Sequence, residues 1–175
     1  SGNFVTLADG VDEGGKEVVR FTMLTRKSDA QMDFDFAKVV EASKDNPVFY
    51  VQYAHARIAS LHRRAAEAGI VCGTADLSQL DTEELVLVKL AAQFPRIVET
   101  AAAAREPHRI AFYLYDLAAL FHATWNVGND RPDRRFLIVD NAVLTCARLF
   151  LADAIGQIIR SGLGIMGVEA VQEMN

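Results

Sequence analysis

Asp45-Asn46-Pro47-Val48-Phe49-Tyr50-Val51-Gln52-Tyr53-Ala54-His55-Ala56-Arg57-Ile58 is the stretch on which the fold turns. Proline at 47 disfavours the α region at Asn46, so a break precedes it. Beyond it, Val51, Ala54, Ile58 and Leu61 recur at helical spacing and form one apolar stripe. A second stripe on the same helix holds Tyr53, Arg57, Ser60 and Arg64.

Reading outward toward the N-terminus, residues 34–44 continue a helical pattern and residues 27–33 are polar and irregular. Lys16 to Arg26 reads as a short helix with Val19, Met23 and Phe21 turned inward. Residues 6–13 form another, opened by Thr6 with Asp9 three positions on, a capping-box pattern, and stopped by Gly14-Gly15.

Toward the C-terminus, residues 67–80, with Gly69 and Gly73, form the longest loop. Asp81 or Thr82 caps the next helix, which carries Glu84, Leu85 and Val88 and ends near Phe94-Pro95. A helix with an alanine run at 101–104 follows. Pro107 opens a long helix to about residue 126, because proline in a first turn gives up an N–H that lacks a partner anyway. Gly128-Asn129-Asp130 is read as its end. The last long helix is expected over residues 133–161, with Gly162 as its stop. No strand pattern stands out, so the class is an all-α helical bundle with a short N-terminal helical connector.

Composition agrees. The chain has 175 residues, 51% hydrophobic and 23% charged, a balance that supports a packed core without metal or disulfide staples. Net charge of -5 and a pI near 5.3 exclude a generally basic nucleic-acid coat, so any such contact needs a local patch. No apolar run approaches the ~18–20 residues of a membrane span. Cys72 and Cys146 have no zinc spacing, and reduced thiols in a cytoplasmic protein are the favoured reading over a disulfide. The four histidines supply no third ligand for the His55/His62 pair, no nucleophile or phosphate-loop motif is present, and Asp33/Asp35 read as turn acids. Neither catalytic nor metal residues are assigned.

Two basic clusters stand out: Arg57, His62, Arg63 and Arg64 on one helix, and Arg131, Arg134 and Arg135 at the expected start of another, the end of the macrodipole that favours anions. A bound phosphate would account for them; a solvated face balanced by Asp130 and Asp133 would too. Trp125 continues the apolar line Leu114, Leu117, Ala118, Phe121. That line reads as core, yet the last turn before a Gly-Asn-Asp loop also suits an exposed indole that stacks on a base.

The chain resembles the arginyl-tRNA synthetases. Ser1-Gly2-Asn3-Phe4-Val5-Thr6-Leu7 is similar to the residues after that family's K-M-S-K loop. The Asp45–Ile58 run is similar to its signature at the start of the anticodon-binding helices. Phe112-Tyr113-Leu114-Tyr115-Asp116-Leu117-Ala118 and Ser161 to Val168 match in order, so the likeness spans essentially the whole chain.

The resemblance implies a helical anticodon-binding domain of the DALR type at residues 34–175, and a remnant of the catalytic domain at residues 1–33. That remnant would expose apolar surface when its neighbour is missing. It implies tRNA for arginine as partner, a catalytic domain in the same polypeptide, and no DNA or membrane role. ATP and magnesium would serve the full enzyme, with no cofactor in this part. It assigns tRNA contacts to Trp125, where the family commonly has tyrosine, and to Met174, with Ala170 and Gln172 replacing the usual proline and arginine. Tyr53 would stack, and Arg57, Arg64, Arg131, Arg134 and Arg135 would hold phosphates. A helical protein–protein module without an RNA role is the competing reading.

Overall fold

The structure is a computed structural model that describes residues 6–26 and 46–174. Those residues form seven α-helices, two 3-10 turns and no strand. The expected features of residues 27–45, including the 33/34 boundary and Asp33/Asp35, lie outside the described residues. Helices α1 (Leu7–Gly14) and α2 (Lys16–Leu24) lie in the stretch expected as the connector. Helices α3 (Pro47–Glu67), α4 (Thr82–Ala91), α5 (Phe94–Ala104), α6 (His108–Asp130) and α7 (Ala142–Ile165) form the bundle.

Local chemistry sets most boundaries. Thr6 and Asp9 close a capping box at α1, and Gly15, at φ 81, is the hinge between α1 and α2. Asn46 accepts from the Val48 N–H at 3.1 Å and opens α3. Asp81 accepts from the N–H groups of Glu83 and Glu84, while Glu84 reaches back to the Asp81 N–H at 2.9 Å.

The core is the stripe read from sequence. Val51, Ala54, Ile58 and Leu61 of α3 are buried against Leu114, Leu117, Ala118 and Phe121 of α6 and Ile155, Ile159 and Leu163 of α7. Helix α2 is docked on α3 and α6 through Val18 and Phe21. Val19 is buried as expected, whereas Met23 is turned outward. In α4, likewise, Leu87 is the buried anchor and Leu85 and Val88 face out.

Four expectations are corrected. First, α6 runs through Gly128 to Asp130. Gly128 is needed for close approach, since a Cβ there would lie 3.1 Å from the Arg135 Cα. Second, α7 starts at Ala142 and continues through Gly162, which is a contact point and not a stop. A Cβ at Gly162 would lie 2.7 Å from Leu114 Cδ2. Third, Cys72 and Cys146 form a disulfide that ties the α3–α4 loop to α7. Two cysteines 74 positions apart leave no local pattern that shows such a pairing. Fourth, α7 is long and apolar enough, by length and composition, to cross a membrane, with a mean hydropathy of 1.6. The bundle accounts for that composition, because Ile155, Ile159 and Leu163 are fully buried in its core.

Candidate nucleic-acid interface

A hollow of about 470 Å³ opens where α3, the end of α6 and the chain's tail meet. Its walls are Tyr53, Ala56, Arg57, Ser60 and Arg63 of α3, Trp125 of α6, and Gln172, Glu173 and Met174 of the tail. Three members of the second α3 stripe, Tyr53, Arg57 and Ser60, therefore share one surface with Trp125 and Met174, which are distant in sequence.

Arg57 is the hub. Its guanidinium carbon lies 4.5 Å from the Tyr53 ring centre and 5.1 Å from that of Trp125, within cation–π reach of both. Its Nη2 donates to the Tyr53 hydroxyl at 2.8 Å. Its Nη1 donates to His122 Nδ1 at 2.9 Å. That nitrogen must then be an acceptor, so the imidazole proton sits on Nε2, which donates to the Tyr50 carbonyl at 3.2 Å. Burial pushes the His122 pKa below its ordinary value. The hydrogen bond to Tyr50 opposes this, and the neighbouring Arg57 charge adds to it.

Trp125 is half-buried, which resolves the two sequence readings into both at once. One part of the indole packs on Phe136, with ring centres 5.5 Å apart and 22° between planes, and on Phe121 at 6.0 Å. The rest lines the hollow.

The tail is held by partners to which sequence reading gave no such role. Gln52 donates to the Glu169 carbonyl at 2.8 Å, and His55 Nδ1 donates to the Val171 carbonyl at 2.8 Å. Arg63 pairs with Glu173 at 3.5 Å. From α2, the Glu17 carboxylate accepts from the Glu169 N–H at 2.9 Å and from Gln52 at 3.0 Å, while Arg20 donates to the Met166 carbonyl at 2.5 Å. The connector helix thus helps hold the segment that ends in Met174.

The remaining basic residues lie apart from the hollow's lining. Arg64 is exposed one position past Arg63 and has no side-chain partner among the described residues. Arg131, Arg134 and Arg135 do not start a helix. They sit on and beside the 3-10 turn Pro132–Arg134, ahead of α7. Arg131 pairs with Asp133 at 3.0 Å, Arg134 with Asp81 and Glu83, and Arg135 Nε donates to the Gly128 carbonyl at 3.0 Å. Under this turn lies Arg148, 2% exposed, which donates to Glu84 at 2.5 Å and to the carbonyls of Asp133 and Arg135 at 3.0 and 2.7 Å. The macrodipole argument for these arginines therefore fails, because their charges are met by protein carboxylates and carbonyls. No group of three or more His, Cys, Asp or Glu side chains suited to a metal is present among the described residues.

Two aromatic faces, a planar cation, a thioether and several hydrogen-bonding side chains around one hollow make a surface suited to a flat, polar ring. The chain belongs to the DALR anticodon binding domain family, whose pattern residues 51–174 match. It is 68% identical over 174 residues to an arginine–tRNA ligase from Novosphingobium aromaticivorans, covering 99% of this chain and 30% of the relative. It is 54% identical to the arginine–tRNA ligase of Rhodospirillum rubrum, covering 99% and 31%. Among solved structures, Thermus thermophilus arginyl-tRNA synthetase superposes with a TM-score of 0.77 at 29% identity, over 98% of this chain and 28% of that one. The chain spans under a third of the length of these curated relatives.

Proposed function

We propose that the chain is the tRNA-recognising helical part of an arginine–tRNA ligase, and that it reads the anticodon loop of arginine tRNA. The hollow carries this reading. Trp125, Tyr53, Arg57 and Met174, each singled out from sequence, all line it. An unstacked base would lie against the aromatic and guanidinium planes and be read at its edge by the polar wall. Arg64 would take a backbone phosphate. Arg131 and Arg134 would do so in competition with Asp133, Asp81 and Glu83, and Arg135 by leaving the Gly128 carbonyl, so their share of the binding energy is correspondingly smaller.

In this reading, residues 1–33 connect to a catalytic part of the same polypeptide. That part uses ATP and magnesium to join arginine to the tRNA, and the present chain contributes binding alone. A cytoplasmic location goes with that role.

Trp125 is the sole tryptophan, so its fluorescence reports on the hollow directly. Titration with arginine tRNA should quench it. The same tRNA with a changed anticodon loop should quench it weakly. Equal quenching by both would refute anticodon reading, and binding without salt dependence would favour a protein–protein module.

A further inference from the structure

Resting on the reading just given, we propose that His122 is a positioning residue for base recognition: its neutral Nδ1 holds the Arg57 guanidinium over Tyr53 and Trp125.

The geometry leaves little freedom. His122 is 4% exposed and does not line the hollow, so it does not meet a ligand there. Its ring is stacked on Tyr53 at 5.3 Å and tilted against Tyr50 at 4.7 Å. Nε2–H is committed to the Tyr50 carbonyl, which leaves Nδ1 as the imidazole's acceptor for Arg57. A guanidinium has five donors and no acceptor, so its plane is set by whatever accepts from it. Here the acceptors are His122 Nδ1 on one side and the Tyr53 hydroxyl on the other. With both made, the guanidinium is held over the Tyr53 and Trp125 rings, and Arg57 and Trp125 both still line the hollow. The base then meets a fixed platform of guanidinium and indole in place of a side chain that must first be ordered.

Protonating His122 removes that acceptor and sets two cations 2.9 Å apart. The titratable and charged groups facing the imidazole are Tyr50, Tyr53 and Arg57, all from α3. No carboxylate lies within ion-pair distance of it among the described residues. Nothing there would stabilise an imidazolium. Acid should release the guanidinium from its place over the rings.

The test uses His122→Leu, His122→Asn and Arg57→Met in the 175-residue chain, with transcribed arginine tRNA as ligand. Leucine keeps the bulk and removes the acceptor. Asparagine puts its amide oxygen close to the former Nδ1. His122→Leu should weaken tRNA binding about 3- to 10-fold, the range for one lost hydrogen bond. His122→Asn should recover to within about 2-fold of wild type. In free wild-type protein, Trp125 emission should change as pH falls below 6.5, the ordinary histidine value. That change should be absent in His122→Asn and in Arg57→Met.

Equal affinity for wild type and His122→Leu would overturn the proposal. So would a His122→Asn variant that stays folded by circular dichroism yet binds as weakly as His122→Leu. A pH transition that persists in Arg57→Met would also overturn it, because the imidazolium would then act on the indole without Arg57. If wild-type chain binds no tRNA, the recognition reading fails by itself, and the emission-against-pH series still decides the His122–Arg57 coupling.

Discussion

Replacing Arg148 with methionine should be the most damaging single change in the bundle. Arg148 and Glu84 are 2% and 3% exposed and meet at 2.5 Å. Removing the cation strands a buried carboxylate, a loss of about 3–5 kcal/mol. It also deprives the Asp133 and Arg135 carbonyls of a charged donor. We expect about 4 kcal/mol in urea denaturation, and a melting temperature lower by about 8–16 °C for a chain of this size. The double variant Arg148→Met/Glu84→Leu removes both charges and should recover at least ~2 kcal/mol of that loss. The effect should reach the hollow as well, since Arg148 fixes the turn leading to Phe136, on which Trp125 rests. Trp125 emission should shift in Arg148→Met under conditions where circular dichroism still reports a folded helix bundle. Loss of under about 1 kcal/mol, with no recovery in the double variant, would refute the claim that this pair is dry and holds the turn.

Reducing the Cys72–Cys146 disulfide with a dithiol, or replacing both residues with serine, should lower stability by up to about 4 kcal/mol for a 74-residue separation, read by denaturation with and without reductant. Burial pushes the Tyr113 phenol up to about 12. Between its ordinary value near 10 and that value the unfolded chain ionises first, so stability should fall as pH rises through this window, and Tyr113→Phe should flatten the fall. His122 works in the opposite direction. Its lowered pKa means that the unfolded chain binds the proton first, so stability should drop as pH falls below 6.5, and His122→Asn should remove that drop. Arg64→Ala should reduce the salt slope of tRNA binding by about one, and Arg134→Ala by less, because Asp81 and Glu83 already hold Arg134.

What the sequence makes legible is what repeats locally. The α3 stripe, the Leu114–Phe121 line and the Thr6 and Asp81 caps follow from helical periodicity and first-turn chemistry, and all are present. What it hides is whatever depends on a distant partner. Gly162 reads as a stop because glycine ends helices. Here its lack of a Cβ is used by Leu114, 48 positions away in sequence. The Arg131–Arg135 cluster reads as a cationic helix start because Arg148, which stitches that turn to the core, carries no local mark of its role. The same holds at the hollow. Tyr53, Arg57 and Trp125 are legible by residue type and resemblance. Arg63, Gln172 and Glu173 become wall residues only through the path of the tail, and His122 through its contact with α3.

That path has a consequence for the order in which the hollow is finished. Its floor is complete once Trp125 has left the ribosome, but Gln172, Glu173 and Met174 are the last of its lining to be made. The stretch leading to them is anchored at Met166 and Glu169 by Arg20 and Glu17, which emerged about 150 residues earlier. A nascent chain stopped between Trp125 and Met166 has the stacking rings and no far wall. Closing the hollow thus joins α2 to residues made about 150 positions later.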